Sequence, residues 1–223
     1  TSVEVSAAAA RTAGELGFHG IKTKGKLEDP LEERFRAMVE AAPGIRIVMD
    51  PKERFYTFEQ TLELARRIED LDIVFEDPFP RDFEAYHRLR ELTSVGITMH
   101  LQNPRQVIEA VHLRAVDGIN IAPSDWGFLD MARIAEAGEV PVWQASNVDL
   151  GLFDAYRLHA SAAAPNCTMA SDLCGNFVHE HSLLKEPLVK DGYAIVPEGP
   201  GLGVELDEEA VARYALSSEQ WPG

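Results

Sequence analysis

The stretch Gly20-Ile-Lys-Thr-Lys-Gly-Lys26 places Lys22 and Lys24 two residues apart at the end of a short apolar run. Side chains two apart in a strand share a face, so the two ammonium groups point the same way. Strand-like runs recur at 45–50, 73–76, 96–100, 118–122, 140–144 and 167–171. Polar residues close the first four runs at Lys24, Asp50, Glu76 and Gln102, a constant interval of 26 residues. Units of equal length favour a rotationally regular closed barrel over an open sheet with a switch point. In a (β/α)8 barrel these positions converge on one mouth, at the carboxyl ends of the strands, where active sites sit.

The segments between the runs carry helix-start signals. Asp29-Pro30 with Glu32 behind it predicts an N-cap followed by a proline at the first helical position. Thr57-Phe-Glu-Gln60 predicts a capping box that opens a helix with Leu62, Ala65 and Ile68 on one face. Asp82 starts another, with Tyr86 and Leu89 inward. Strict alternation of strand and helix without long linkers predicts a parallel sheet. The chain opens on a helical stretch, 5–17, so an eight-stranded barrel lacks its first strand here. Open edges are an aggregation liability, and something outside these residues is expected to close the gap.

Composition narrows the partners. Thirty-seven acids against 21 Lys and Arg leave a formal charge of −16, which argues against nucleic-acid and anionic-membrane surfaces and leaves metal cations and small molecules. No apolar run approaches the roughly 18 residues of a membrane span. Two cysteines, Cys167 and Cys174, make no disulfide framework, so a cytoplasmic setting is the expectation.

With these residues in view, the chain resembles the enolase superfamily, in its mandelate racemase/muconate lactonizing enzyme group. Lys22-Thr-Lys24 is similar to the Lys-x-Lys motif of that family, and Arg46-Ile-Val-Met-Asp50 to its third-strand metal aspartate. Phe75-Glu-Asp-Pro78 resembles its fourth-strand metal site, and Lys190 through Glu205 its closing segment. The resemblance implies a TIM-like modified (β/α)7β barrel over 1–189 and a closing segment over 190–223. It also implies a preceding α+β capping domain that is absent here. It implies Mg²⁺ at Asp50, Glu76 and Gln102, a small carboxylate substrate, and assembly as a homo-oligomer. The implied reaction removes the proton alpha to the substrate carboxylate. Lys24 is then the base, and Lys22 depresses its pKa and holds the carboxylate. A carbon acid yields its proton only if the charge is stabilised as it forms, which a divalent cation does as a Lewis acid. A second ammonium beside a lysine favours the neutral form that a base requires.

Several positions depart from the family pattern. Gln102 stands where the third metal acid belongs, with His100 and Asn103 as nearby alternatives; imidazole is a poor Mg²⁺ ligand. Lys52 follows the Asp50 site, either as a cation beside substrate and metal or as a solvated side chain. Ala122, Gln144 and Ser171 occupy positions where relatives carry an opposing base. Asp172 lies beside Ser171. Lys52, Asn103, Gln144 and Ser171 are the substrate-binding candidates. A single-sided base set points to a dehydratase or related lyase; a racemase, epimerase or cycloisomerase, and a non-catalytic binding barrel, stay open. His179 and His181 read as a surface pair, His159 as a packed helix residue, His19 as a loop residue, and Trp126 and Trp143 as core or pocket wall.

Overall fold

Each 26-residue unit folds as a strand followed by a helix. The computed structural model describes residues 1–53, 56–122, 127–146, 148–173 and 175–216, with backbone alone at 176 and 177. Arg54, Trp126 and Cys174 lie outside the described residues. Helix α1 (Val3–Glu15) precedes β1 (Gly20–Thr23), α2 (Leu31–Ala41), β2 (Arg46–Met49), α3 (Phe58–Arg67) and β3 (Ile73–Glu76). Then come α4 (Phe83–Leu92), β4 (Gly96–Leu101), α5 (Pro104–His112), β5 (Gly118–Ile121), α6 (Phe128–Ala137) and β6 (Val142–Gln144). The last part holds α7 (Gly151–Ala162), α8 (Gly175–Val178), β7 (Val189–Lys190), β8 (Tyr193–Ala194) and α9 (Glu208–Tyr214). Strands β1 to β6 pair in sequence order, all parallel.

Register assigns the two faces. Lys22 lies opposite Val48, and Val48 opposite Val74. Glu76 lies opposite Thr98, while His100, Asn120 and Trp143 form a row across β4, β5 and β6. The alternate residues face the helices: Ile47, Met49, Phe75, Ile97, Met99, Leu101, Ile119, Ile121 and Val142 are buried in the core. Burying each such side chain stabilises the fold by roughly 1.5–3 kcal/mol, as an upper bound. One face therefore provides cohesion, and the other is free to carry polar groups.

The helix signals held in most units. Thr57 and Gln60 form the expected reciprocal cap, and the Asp82 side chain accepts from Ala85 N. Ala65, Ile68, Tyr86 and Leu89 are buried. The first signal is corrected: Pro30, not Asp29, is the N-cap of α2, with no side-chain cap bond. Asp29 is drawn elsewhere, accepting from Arg34 Nη1 at 2.9 Å and Lys26 N at 3.2 Å. Arg34 is fully buried and also donates to Ser6 Oγ and Thr23 Oγ1, which ties α1 and β1 to α2.

The expected seventh strand, 167–171, is likewise corrected to irregular backbone. Val142 N donates to Asn166 O at 2.8 Å and Met169 N to Val142 O at 3.5 Å, so the segment runs beside β6. Two of its other donors are used locally, Cys167 N on Ala164 O and Thr168 N on Asn166 O, and are lost to a ladder. The closing region folds back instead: β7 and β8 pair antiparallel, and Leu184 bridges Leu206. Among the described residues no helix is long and apolar enough to cross a membrane.

Candidate functional site

The inner face of the sheet gathers charge at the carboxyl ends of β1 to β3. Lys22 Nζ lies 2.9 Å from Glu76 Oε1, 2.8 Å from Glu76 Oε2, 3.1 Å from Asp172 Oδ2 and 3.5 Å from Asp50 Oδ2. Lys24 Nζ donates to Asp50 Oδ2. The Lys52 backbone N donates to Asp50 Oδ1 at 2.9 Å, and its ammonium sits 3.5 Å from Oδ2. Asp50 and Glu76 are 0% and 1% exposed, so their charges depend on these partners. Asn120, equally buried, bridges the cluster, donating to Glu76 Oε1 at 3.1 Å and Asp172 Oδ2 at 3.3 Å.

This geometry separates the two lysines electrostatically. Burial disfavours the Lys22 ammonium, but Glu76, Asp172 and Asp50 outweigh it and hold its pKa above the ordinary lysine value. Burial also acts on Lys24 and prevails, helped by the positive charges of Lys22 and Lys52 against its bond to Asp50, and its pKa falls below the usual range. Asp50 resists burial through Lys24, Lys22 and Lys52 and titrates below an ordinary aspartate. Burial prevails at Glu76, whose pKa is raised.

A cation site fits this donor set. The Lys22 ammonium already sits at a point within 3.5 Å of three carboxylates, which is where a positive centre is best compensated. Glu76, Asp77 and His100 form a second grouping, each offering a ligand atom within 4.8 Å of the others. Asp77 Oδ1 accepts from His100 N at 3.0 Å. Burial lifts Asp77 to about 7, and burial together with Lys52 and Lys22 depresses His100 to about 4, so its imidazole is neutral at pH 7.

Lys22, Lys24, Asp50, Glu76 and Lys52 are thus brought together, and the other candidates stand apart. Gln102 is exposed beyond β4, and its backbone N donates to Gln106 Oε1. Asn103 caps α5 through Gln106 N. Gln144 pairs in register with core-facing Ile121, while Trp143 shares the face of Asn120 and His100. Ser171 Oγ donates to the Gln144 carbonyl at 3.5 Å. Ala122 is buried at the end of β5. No motif in the sequence gives a role to Asn120 or Asp77. Period-2 alternation counted back from Ala122 points to Asn120, whereas Asp77 has no signal beyond its place in Phe75-Glu-Asp-Pro78. Elsewhere, His179 and His181 have separate partners, Val148 O and Leu183 N, as a surface pair would. His159 contacts Leu202 O, and His19 meets the Tyr193 hydroxyl.

The family model for enolase C-terminal domain-like proteins matches residues 4–210. Muconate cycloisomerase 1 of Rhodococcus opacus is 28% identical over 179 residues, 77% of this chain and 48% of that protein. Arabinonate dehydratase of Saccharolobus solfataricus is 28% identical over 222 residues, 92% of this chain and 57% of that protein. The chain thus spans about half the length of these curated relatives. The crystal structure of N-succinyl Arg/Lys racemase from Bacillus cereus superposes with a TM-score of 0.84 at 20% identity, covering 97% of this chain and 61% of that one. The parallel sheet, its helices and the match across nearly the whole length lead to one placement: the chain belongs to the enolase C-terminal domain-like family, in the mandelate racemase and muconate lactonizing enzyme group.

Proposed function

We propose that this chain is the barrel part of an enzyme that removes the proton alpha to a substrate carboxylate, with elimination following as in a dehydratase or related lyase. The observation that carries the reading is the contrast between two lysines on one strand end: the charged form is favoured at Lys22 and disfavoured at Lys24. A neutral Lys24 Nζ accepts the proton. Lys22, kept cationic by Glu76, Asp172 and Asp50, offers fixed positive charge to the substrate carboxylate. Mg²⁺, when bound at Asp50 and Glu76 with Gln102 as the expected third ligand, would supply Lewis-acid stabilisation of the developing negative charge. Lys52, anchored beside Asp50, adds positive charge on the same side.

The reaction class is supported by the relatives, which are named as a cycloisomerase and a dehydratase. The reading includes a modified (β/α)7β barrel over 1–189, closed by 190–223 and by a capping domain, and a homo-oligomeric assembly acting on a small carboxylate. The test uses the full-length protein with a panel of hydroxy acids and sugar acids in D₂O. Deuterium incorporation at the alpha carbon, or loss of water, is expected in wild type and absent in Lys24→Ala. Retained exchange in that variant overturns the base assignment. Loss of optical activity without loss of mass identifies a racemase or epimerase instead, with Asp172 or His100 as the second base.

A further inference from the structure

We infer that His100 is a metal ligand of this site, joining Glu76 and Asp77, so that a first-row transition ion, Mn²⁺ among them, is bound in preference to Mg²⁺. This rests on the metal-assisted reading above, shares its Glu76, and changes its cation and two of its donors, with Asp77 and His100 in place of Asp50 and Gln102.

Geometry carries the inference. Gln102, the residue at the 26-residue interval, is exposed beyond the end of β4, with its backbone turned into the α5 cap. Two residues earlier, His100 lies on the inner face, in register with Asn120, whose side chain bonds Glu76. Its Nε2 atom is buried and has no hydrogen-bond partner among the described residues. A buried ring nitrogen in that state forfeits a hydrogen bond worth about 1 kcal/mol or more, and a cation would take up its lone pair. A ligand atom of His100 lies within 4.8 Å of carboxylate oxygens of both Glu76 and Asp77, close enough for all three to meet one ion. The Asp77 carboxylate also accepts from the His100 backbone N, which ties that acid to the strand carrying the imidazole. Hard Mg²⁺ prefers six oxygens in a near-octahedral shell. Two carboxylates and one imidazole make a mixed nitrogen–oxygen set, which suits first-row transition ions.

The experiment loads the full-length protein, stripped with EDTA, with Mn²⁺ alone. Free Mn²⁺ is followed by electron paramagnetic resonance, and the bound ion by pulsed measurement of its nitrogen couplings. Wild type is expected to bind Mn²⁺ at least about tenfold more tightly than Mg²⁺ and to show an imidazole ¹⁴N coupling. His100→Gln, with its fold checked by circular dichroism, is expected to lose that coupling and weaken Mn²⁺ by about tenfold or more, while Mg²⁺ binding changes little. Binding that Glu76→Gln abolishes but that carries no nitrogen coupling in wild type overturns the His100 ligand and leaves the metal reading standing. A coupling that persists in His100→Gln overturns the assignment as well. Absence of Mn²⁺ and Mg²⁺ binding, or binding that Glu76→Gln does not reduce, overturns both readings together.

Discussion

Lys22 and Lys24 show how position on one strand divides the work of two identical side chains. Lys22 compensates three carboxylates, so Lys22→Met leaves Asp50, Glu76 and Asp172 facing one another across a mostly buried space. In EDTA at pH 7.5 this is expected to lower unfolding stability by about 3 kcal/mol, read from urea denaturation. The loss should shrink as pH falls, because protonating an uncompensated acid relieves the repulsion in the folded state and leaves the unfolded chain unaffected. The same substitution removes a positive neighbour that lowers the Lys24 pKa. A base is active when neutral, so the rising limb of the pH–rate profile for alpha-proton exchange lies below the ordinary lysine value in wild type. It is expected to move to higher pH in Lys22→Met. An unmoved limb would show that Lys24 is not the titrating base.

At the scale of elements, turn and cap chemistry decides how the strand–helix units end. The Thr57 hydroxyl accepts from Gln60 N at 3.3 Å, and Gln60 Oε1 accepts from Thr57 N at 2.9 Å. Thr57→Ala removes half of this pair at the start of α3 and is expected to cost about 1 kcal/mol by thermal or urea unfolding. Asp191 and Gly192 join β7 to β8 with φ of 51° and 77°, the two-residue hairpin turn that suits right-twisted strands. Gly192 also sits against the end of α1, where an added Cβ would lie 2.0 Å from Gly17 O. Gly192→Ala is therefore expected to cost more than about 2 kcal/mol, beyond the backbone penalty of about 1 kcal/mol for a left-handed residue. Gly44→Ala is the control, since its φ is 85° and nothing among the described residues lies within 4 Å of its Cβ position. Equal losses in the two variants would remove the packing role assigned to Gly192.

For the whole molecule, the central quantity is the coupling of cation binding to folding. The acids converge only when β1, β2 and β3 pair and the 167–173 segment runs beside β6, so the unfolded chain has no such site. An ion that binds the native state alone adds about 2.7 kcal/mol of stability at a hundred times its Kd. Differential scanning calorimetry is expected to show that increase with Mn²⁺ or Mg²⁺ in wild type and not in Glu76→Gln. A shift that survives in Glu76→Gln would place the ion elsewhere.

Much of this arrangement was legible before any coordinates. Equal intervals placed Lys24, Asp50 and Glu76 at corresponding strand ends, and the parallel sheet follows from strand–helix alternation that each unit satisfies locally. Caps such as Thr57 and Asp82 are local hydrogen bonds within four residues, so their residue types suffice to announce them. Gln102 shows where interval counting stops: Glu76 pairs in register with Thr98, so position 102 lies four residues beyond that level and is exposed, while His100 faces inward beside Asn120. Residues 167–171 are apolar enough for a strand, yet local turns take the Cys167 and Thr168 donors. Side-chain type and spacing thus determined the elements, the sheet's direction and the lysine–acid ladder, because those depend on near neighbours. The tertiary structure alone decided that Asn120 and Asp172 join Glu76 around Lys22, and that Trp143 turns inward while Gln144 does not. Those facts depend on strand register and on contacts across as many as 150 residues, which no local pattern encodes.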